Sequence, residues 1–106
     1  MRSEIIENHV SDEQGRPAGG TTTGRGFTIE WQNGPLAVDG VRREPNGAFV
    51  EDVIAAAIGR IEFYQRSPFA CQENDNALAN LIRAAWELDQ RTKSRQARGV
   101  EGTHTV

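Results

Sequence analysis

Residues 46–99 read NGAFVEDVIAAAIGRIEFYQRSPFACQENDNALANLIRAAWELDQRTKSRQARG, and their periodicity decides the fold. Asn46 is a candidate N-cap for a first helix running to about Gln65. Within it Val50, Val53, Ile54, Ala57, Ile58, Ile61 and Tyr64 recur at spacings of three and four, a single apolar stripe. Ser67-Pro68 ends this helix, and Phe69, Ala70 and Cys71 make the short connection of a helical hairpin. A second helix is expected from about Glu73 to Arg98, with Gly99 as its left-handed terminator. Its core stripe is Leu78, Leu81, Ile82, Ala85 and Leu88. Ala77, Ala84 and Trp86 widen that stripe beyond what one partner helix covers, which points to packing against a second chain or against strands.

Outward from the hairpin, Phe27, Ile29 and Trp31 alternate with Thr28, Glu30 and Gln32, the period-two pattern of a half-buried strand over Gly26–Gln32. Asn33-Gly34-Pro35 supplies turn chemistry, after which Leu36-Ala37-Val38 can pair back as a second strand before Asp39-Gly40 turns the chain again. Two strands alone are marginal in water, so this ribbon must pack on something. Residues 1–25 carry Gly15, Gly19, Gly20, Gly24, Pro17 and the run Thr21 to Thr23, with Ile5–Ile6 and Val10 as their only apolar groups. On composition they read as a flexible N-terminal arm. The expected architecture is therefore α+β, mainly α. It runs from an arm (1–25) through an antiparallel β-ribbon (26–45) and a long two-helix antiparallel hairpin (46–98) to a flexible tail (99–106), oligomeric overall.

A chain of 106 residues holds one domain at most and buries a modest share of its surface. Its net charge of −3 argues against a DNA or RNA polymer as partner, although a local basic patch can still hold a small anion. The single cysteine, Cys71, excludes an internal disulfide and fits a reducing compartment. No apolar run approaches the roughly 20 residues of a membrane span. The N-terminus, with Glu4, Glu7, Asp12 and Glu13, lacks the apolar centre of a signal peptide. A cytoplasmic protein without membrane association is expected.

Catalysis has little support. The two histidines, His9 and His104, lie near the termini, and Cys71 has neither beside it in sequence. No His, Cys or carboxylate spacing suggests a metal, and no phosphate-binding glycine motif occurs, so neither metal nor cofactor is expected.

The strongest local feature is Arg91, Arg95 and Arg98, at i, i+4 and i+7 on one helical face. Cations at a helix C-terminus complement its dipole and are often simply solvated. A guanidinium stripe also matches phosphate oxygens bidentately, and three arginines favour a compact, multiply charged ligand. Nucleotide recognition further needs ring faces for stacking, and Phe63, Tyr64 and Phe69 cluster at the hairpin bend. Tyr64 can equally serve core packing, and Phe69 can plug the loop. Asn74 can cap the second helix or read a base or ribose edge. The bend and the arginines are about 30 Å apart along a helix, so one chain cannot bring both to a small molecule. Two hairpins packed antiparallel can.

These residues resemble a known family. Gly26-Phe27-Thr28-Ile29-Glu30-Trp31-Gln32-Asn33-Gly34-Pro35 resembles the opening strand of phage anti-Thoeris sponge proteins. Phe69 through Asn74 to Leu81, then Arg91-Thr92, Arg95 and Arg98-Gly99-Val100-Glu101-Gly102-Thr103-His104, is similar to their hairpin and tail. That hairpin is shared with phage anti-CBASS sponges, and the resemblance spans residues 26–106. It implies a non-enzymatic protein that holds glycocyclic ADP-ribose made by Thoeris TIR proteins, or cyclic di- and trinucleotides made by CBASS cyclases. It also implies a homo-oligomer, either a dimer or a trimer of dimers. By resemblance Tyr64 is the stacking aromatic, and Asn74, Arg91 and Arg95 are polar and phosphate contacts. Thr103 and His104 correspond to a second, cyclic-trinucleotide site. The rival reading from the residues is an adaptor whose hairpin grips a host protein. A hydrolase acting on the same signal is a weaker third.

Overall fold

The computed structural model describes residues 4–106. The chain divides into two compact units, one comprising Met1–Phe49 with Val100–Val106 and the other Val50–Gly99.

The first unit contains a three-stranded antiparallel sheet of β1 (Ile6–Ser11), β2 (Pro17–Gly24) and β3 (Phe27–Glu30), in the order β1-β2-β3. This corrects the expectation of a flexible arm over 1–25, of which residues 1–3 lie outside the described residues. The Asp12–Arg16 turn explains part of the difference. One oxygen of the Asp12 carboxylate accepts the backbone N–H groups of Gln14 and Arg16, each at 2.9 Å, and the other accepts the Arg16 Nε–H at 2.8 Å. The glycines have a use there that composition does not reveal. Gly20 sits at φ 124°, where a Cβ would collide with the Asn8 carbonyl, so the residue permits close strand approach rather than disorder. The β-branched Thr21 to Thr23 then suit a pleated strand.

The ribbon is also rearranged. Ala37–Val38 (β4) does not pair back on β3 but pairs forward with Val41–Arg42 (β5). Asp39 (φ 52°) and Gly40 (φ 76°) make that turn, whose two positive φ values match a tight hairpin. What extends β3 is the segment before the hairpin, through a parallel bridge between Trp31 and Ala48. The Gln32 N–H donates to the Ala48 carbonyl at 3.0 Å, and the Ala48 N–H donates to the Glu30 carbonyl at 2.7 Å. Asn46, expected as a helix N-cap, instead accepts the Asn33 N–H at 2.8 Å and donates its amide to the Asn33 carbonyl at 2.9 Å. It fastens the Asn33-Gly34 turn, and the helix starts four residues later.

The tail is tied down as well. The Ala37 N–H donates to the Gly102 carbonyl at 2.9 Å, and Arg42 clasps Glu101 through two hydrogen bonds of 2.8 Å. That pair raises the Arg42 pKa through the hydrogen bond and charge of Glu101. Composition alone predicts a flexible end over 99–106, and these bonds correct that expectation. The ion pair reaches across 59 residues, a distance over which sequence pattern carries no signal.

The second unit holds α1 (Val50–Gln65) and α2 (Gln72–Ala97), which pack against each other. The half-buried residues Val53, Ile54, Ala57, Ile58 and Ile61 of α1, and Leu78, Leu81, Ala85 and Leu88 of α2, keep the expected spacing. Gly99 ends α2 at φ 72°, its N–H donating to the Gln96 carbonyl. Ile82, read as core, is exposed, as is Trp86, with the Arg83 guanidinium 5.4 Å from the Trp86 ring centre. Across the described residues no apolar side chain is buried, and Thr22, at 6% exposure, is the one buried residue.

Candidate ligand-binding site

The bend between the helices is built by a run of local hydrogen bonds. The Ser67 hydroxyl donates to the Tyr64 carbonyl at 2.6 Å and accepts the Phe69 N–H at 3.1 Å, which closes off α1 without further helical turns. Cys71, the N-cap of α2, has extended backbone and no side-chain cap. Gln65 of α1 ties this junction together instead. Its carbonyl oxygen accepts the Cys71 N–H (3.1 Å) and the Asn74 amide (2.9 Å), while its own amide donates to the Cys71 carbonyl (3.0 Å) and to Asp75 (2.8 Å). The Asn74 amide reaches the Phe69 carbonyl as well, at 3.4 Å. Asn74 therefore fastens the loop and does not cap the helix in the expected manner.

This scaffold leaves aromatic faces in the open. Phe69 is 79% exposed, so it does not plug the loop. Phe63 and Tyr64 are exposed too, their ring centres 6.3 Å apart at 56°. The Arg60 guanidinium lies over both, 4.9 Å from the Phe63 centre and 5.1 Å from that of Tyr64, with Nε–H donating to the Tyr64 hydroxyl at 3.3 Å. Such stacking fixes a flexible cation in one place while keeping its charge near solvent. The bend thus offers ring faces and a held guanidinium within one short stretch, beside Asn74, whose amide N–H groups are engaged by Gln65 and Phe69.

The arginine stripe lies at the other end. At 1.5 Å per residue α2, with 26 residues, is about 39 Å long and α1, with 16, about 24 Å. The last turns of α2 consequently run past the end of α1. Arg91 is exposed there, Arg95 is half-buried, and Arg98 is the C-cap, its N–H donating to the Ser94 carbonyl at 3.2 Å. Lys93 pairs with Asp89 at 3.1 Å on the same projection.

The structure thus gathers Tyr64, Phe69 and Asn74 at the bend and Arg91, Arg95 and Arg98 at the projection. In a single copy it does not bring the two groups together, since 17 residues of helix from Asn74 to Arg91 span roughly 25 Å. Thr103 and His104 belong to the first unit. Thr103 shapes a turn there, its hydroxyl donating to the Val100 carbonyl at 2.6 Å and accepting the Thr105 N–H at 3.2 Å, while His104 is exposed. Sequence reasoning missed Arg60 and Gln65. The placement of Arg60 three and four residues before the two rings was a readable signal, whereas nothing in local pattern marks Gln65 as the hub of the loop.

Among the described residues no group of three His, Cys, Asp or Glu side chains is placed to hold a metal ion. Within the same residues no helix is long and apolar enough to cross a membrane.

No family model matches the chain. It is 42% identical over 81 residues to Thoeris anti-defense 1 of Bacillus phage SBSphiJ7, a stretch covering 76% of this chain and 54% of that protein. The chain spans about half the length of this relative.

Proposed function

This chain belongs to the Thoeris anti-defense family of phage proteins, and we propose that it blocks immune signalling by holding a small cyclic nucleotide without cleaving it. The ligand class is glycocyclic ADP-ribose or a cyclic di- or trinucleotide. Tyr64 and Phe69 stack the base, Asn74 lies beside them, and Arg91, Arg95 and Arg98 of a second copy take the phosphates. Thr103 and His104 are assigned to a second ligand position. The protein acts as a homo-oligomer, a dimer or a trimer of dimers.

One observation carries this reading: exposed aromatic rings at the bend and a guanidinium stripe on α2, roughly 25 Å along that helix from the bend. A compact phosphorylated ligand needs both kinds of surface, and two hairpins running in opposite directions supply them together. The absence of any buried apolar side chain among the described residues supports the oligomer, because a single copy leaves Ile82 and Trp86 in water. A protein that uses each site once must bind tightly, with a Kd near nanomolar, or about −12 kcal/mol.

The test is to incubate the protein with labelled glycocyclic ADP-ribose or a cyclic trinucleotide, remove free ligand, and then heat. Recovery of intact ligand supports sequestration. Chemically altered ligand makes the protein a hydrolase, and no retention leaves the host-protein adaptor.

A further inference from the structure

The N-terminal sheet has an open edge whose sequence is complementary to itself. All six residues of β1 are exposed. Strand edges in proteins are commonly guarded by Lys, Pro or very short length, because unpaired N–H and C=O groups recruit another strand. Between Ile6 and Ser11 there is neither Lys nor Pro, and the one irregularity is a shift of register between His9 and Ser11.

The direction of each backbone group on β1 follows from the pairing further in. The Trp31 N–H donates to the Gly20 carbonyl at 3.0 Å, so Gly20 turns its backbone groups toward β3. Alternation along an antiparallel strand then turns Thr21 toward β1, and its partner Asn8 toward β2. The Asn8 carbonyl oxygen agrees, being the atom nearest to a Cβ placed on Gly20. Glu7 and His9 accordingly present their N–H and C=O groups to the open edge.

We propose that β1 pairs antiparallel with β1 of a second copy, about a two-fold axis at Asn8, joining two three-stranded sheets into one of six strands. Of the registers that satisfy the alternation of backbone groups, three are centred on Glu7, Asn8 or His9. One sets Glu7 against Glu7 of the partner subunit, which opposes two carboxylates. Another sets His9 against His9 of the partner subunit and leaves Asn8 facing the partner's Val10. The register about Asn8 sets Glu7 against the partner's His9 and Ile6 against the partner's Val10, each twice. It matches carboxylate with imidazole and aliphatic with aliphatic, the cross-strand pairs that stabilise sheets. Within one chain the His9 Nε2 already approaches the Glu7 carboxylate at 3.3 Å, so the four side chains form one cluster across the axis. This edge is separate from the hairpin site and does not depend on the ligand proposed for it.

The register has a sharp chemical consequence. Asn8 faces itself in a non-hydrogen-bonded pair, where Cα atoms approach to about 4.5 Å, within disulfide reach. The full-length Asn8→Cys variant, made with Cys71→Ser to remove the native thiol, should be oxidised to a disulfide-linked dimer. Gln14→Cys in the same background, at the tip of the β1–β2 turn, should stay monomeric on non-reducing gels. His9→Glu should slow the Asn8→Cys cross-link by about tenfold, by facing carboxylate with carboxylate. Adding Glu7→Lys to it should restore the rate. In the unaltered protein the amides of Glu7 and His9 should exchange slowly in concentrated solution and quickly on dilution. Cross-linking of Asn8→Cys no faster than of Gln14→Cys overturns the proposal. So does protection of those two amides that ignores concentration, which would assign the edge to a different strand.

Discussion

The indole N–H of Trp31 donates to the Thr22 hydroxyl at 2.8 Å, and Thr22 is the one buried residue among those described. The pair joins β2 to the point where β3 meets the Ala48 segment. Thr22→Val keeps the side-chain shape but removes the acceptor. We expect a loss of about 1 kcal/mol in urea unfolding, as for a buried donor left unpaired. Thr21→Val, on the opposite face of the strand, should change stability by less than about 0.5 kcal/mol.

Two glycines should respond to alanine in opposite directions. A Cβ on Gly47 would lie within 2.7 Å of the Trp31 and Gln32 backbone, so Gly47→Ala must open the Trp31–Ala48 bridge. A loss of about 2 kcal/mol or more is expected in thermal or urea unfolding. Gly59 lies inside α1 with nothing within 4 Å of its would-be Cβ. Gly59→Ala should therefore stabilise by up to about 1 kcal/mol. Destabilisation there would place a neighbouring chain against α1.

Arg91→Ala should weaken ligand binding at least about tenfold by calorimetry, since a charged hydrogen bond is worth roughly 1.5–3 kcal/mol. Unfolding should be almost unchanged, because Arg91 is exposed. Asn74→Ala should behave differently. It removes the bond to Gln65 that fastens the loop, so melting temperature and affinity should fall together. Unchanged affinity in Arg91→Ala would take that residue out of the site.

The Asp12 carboxyl is held below the usual carboxylate range, first by the backbone N–H of Arg16; desolvation opposes this, and the Arg16 side chain and the Gln14 N–H add to the lowering. A depressed folded pKa means that the stabilisation is present at pH above the unfolded value, near 4. It is lost as pH falls through the lower folded value. Acidification below pH 4 should therefore loosen the Asp12–Arg16 turn, seen as faster exchange of the Gln14 and Arg16 amides. In Asp12→Asn this pH dependence should be absent.

The hairpin was legible because its information is local. Residues three and four apart face the same way, so Val53, Ile54, Ala57 and Ile58 announce α1, and Leu78, Leu81, Ala85 and Leu88 announce α2. The alternation of Phe27, Ile29 and Trp31 likewise exposed β3. What stayed hidden depends on partners distant in sequence. β1 and β2 carry too few apolar residues to declare themselves, and their glycines imitate a linker. Asn46 has a capping residue's chemistry but uses it 13 positions upstream, on Asn33. Of the candidate site, the arginine stripe and aromatic cluster followed from spacing, whereas the exposure of Phe69 and the loop-fastening role of Asn74 required the Gln65 network.

The bond from Ala37 to Gly102 has a consequence for how the polypeptide comes to be built. Its donor and acceptor flank the whole helical insertion, so the first unit is interrupted by the second and resumes only at Val100. On a ribosome the strands emerge early and then wait, their clasp incomplete, until more than half of the chain has been added. The hairpin, by contrast, has short-range contacts that form within microseconds. The clasp of Ala37 and Arg42 on Gly102 and Glu101 should accordingly be the last contact to close.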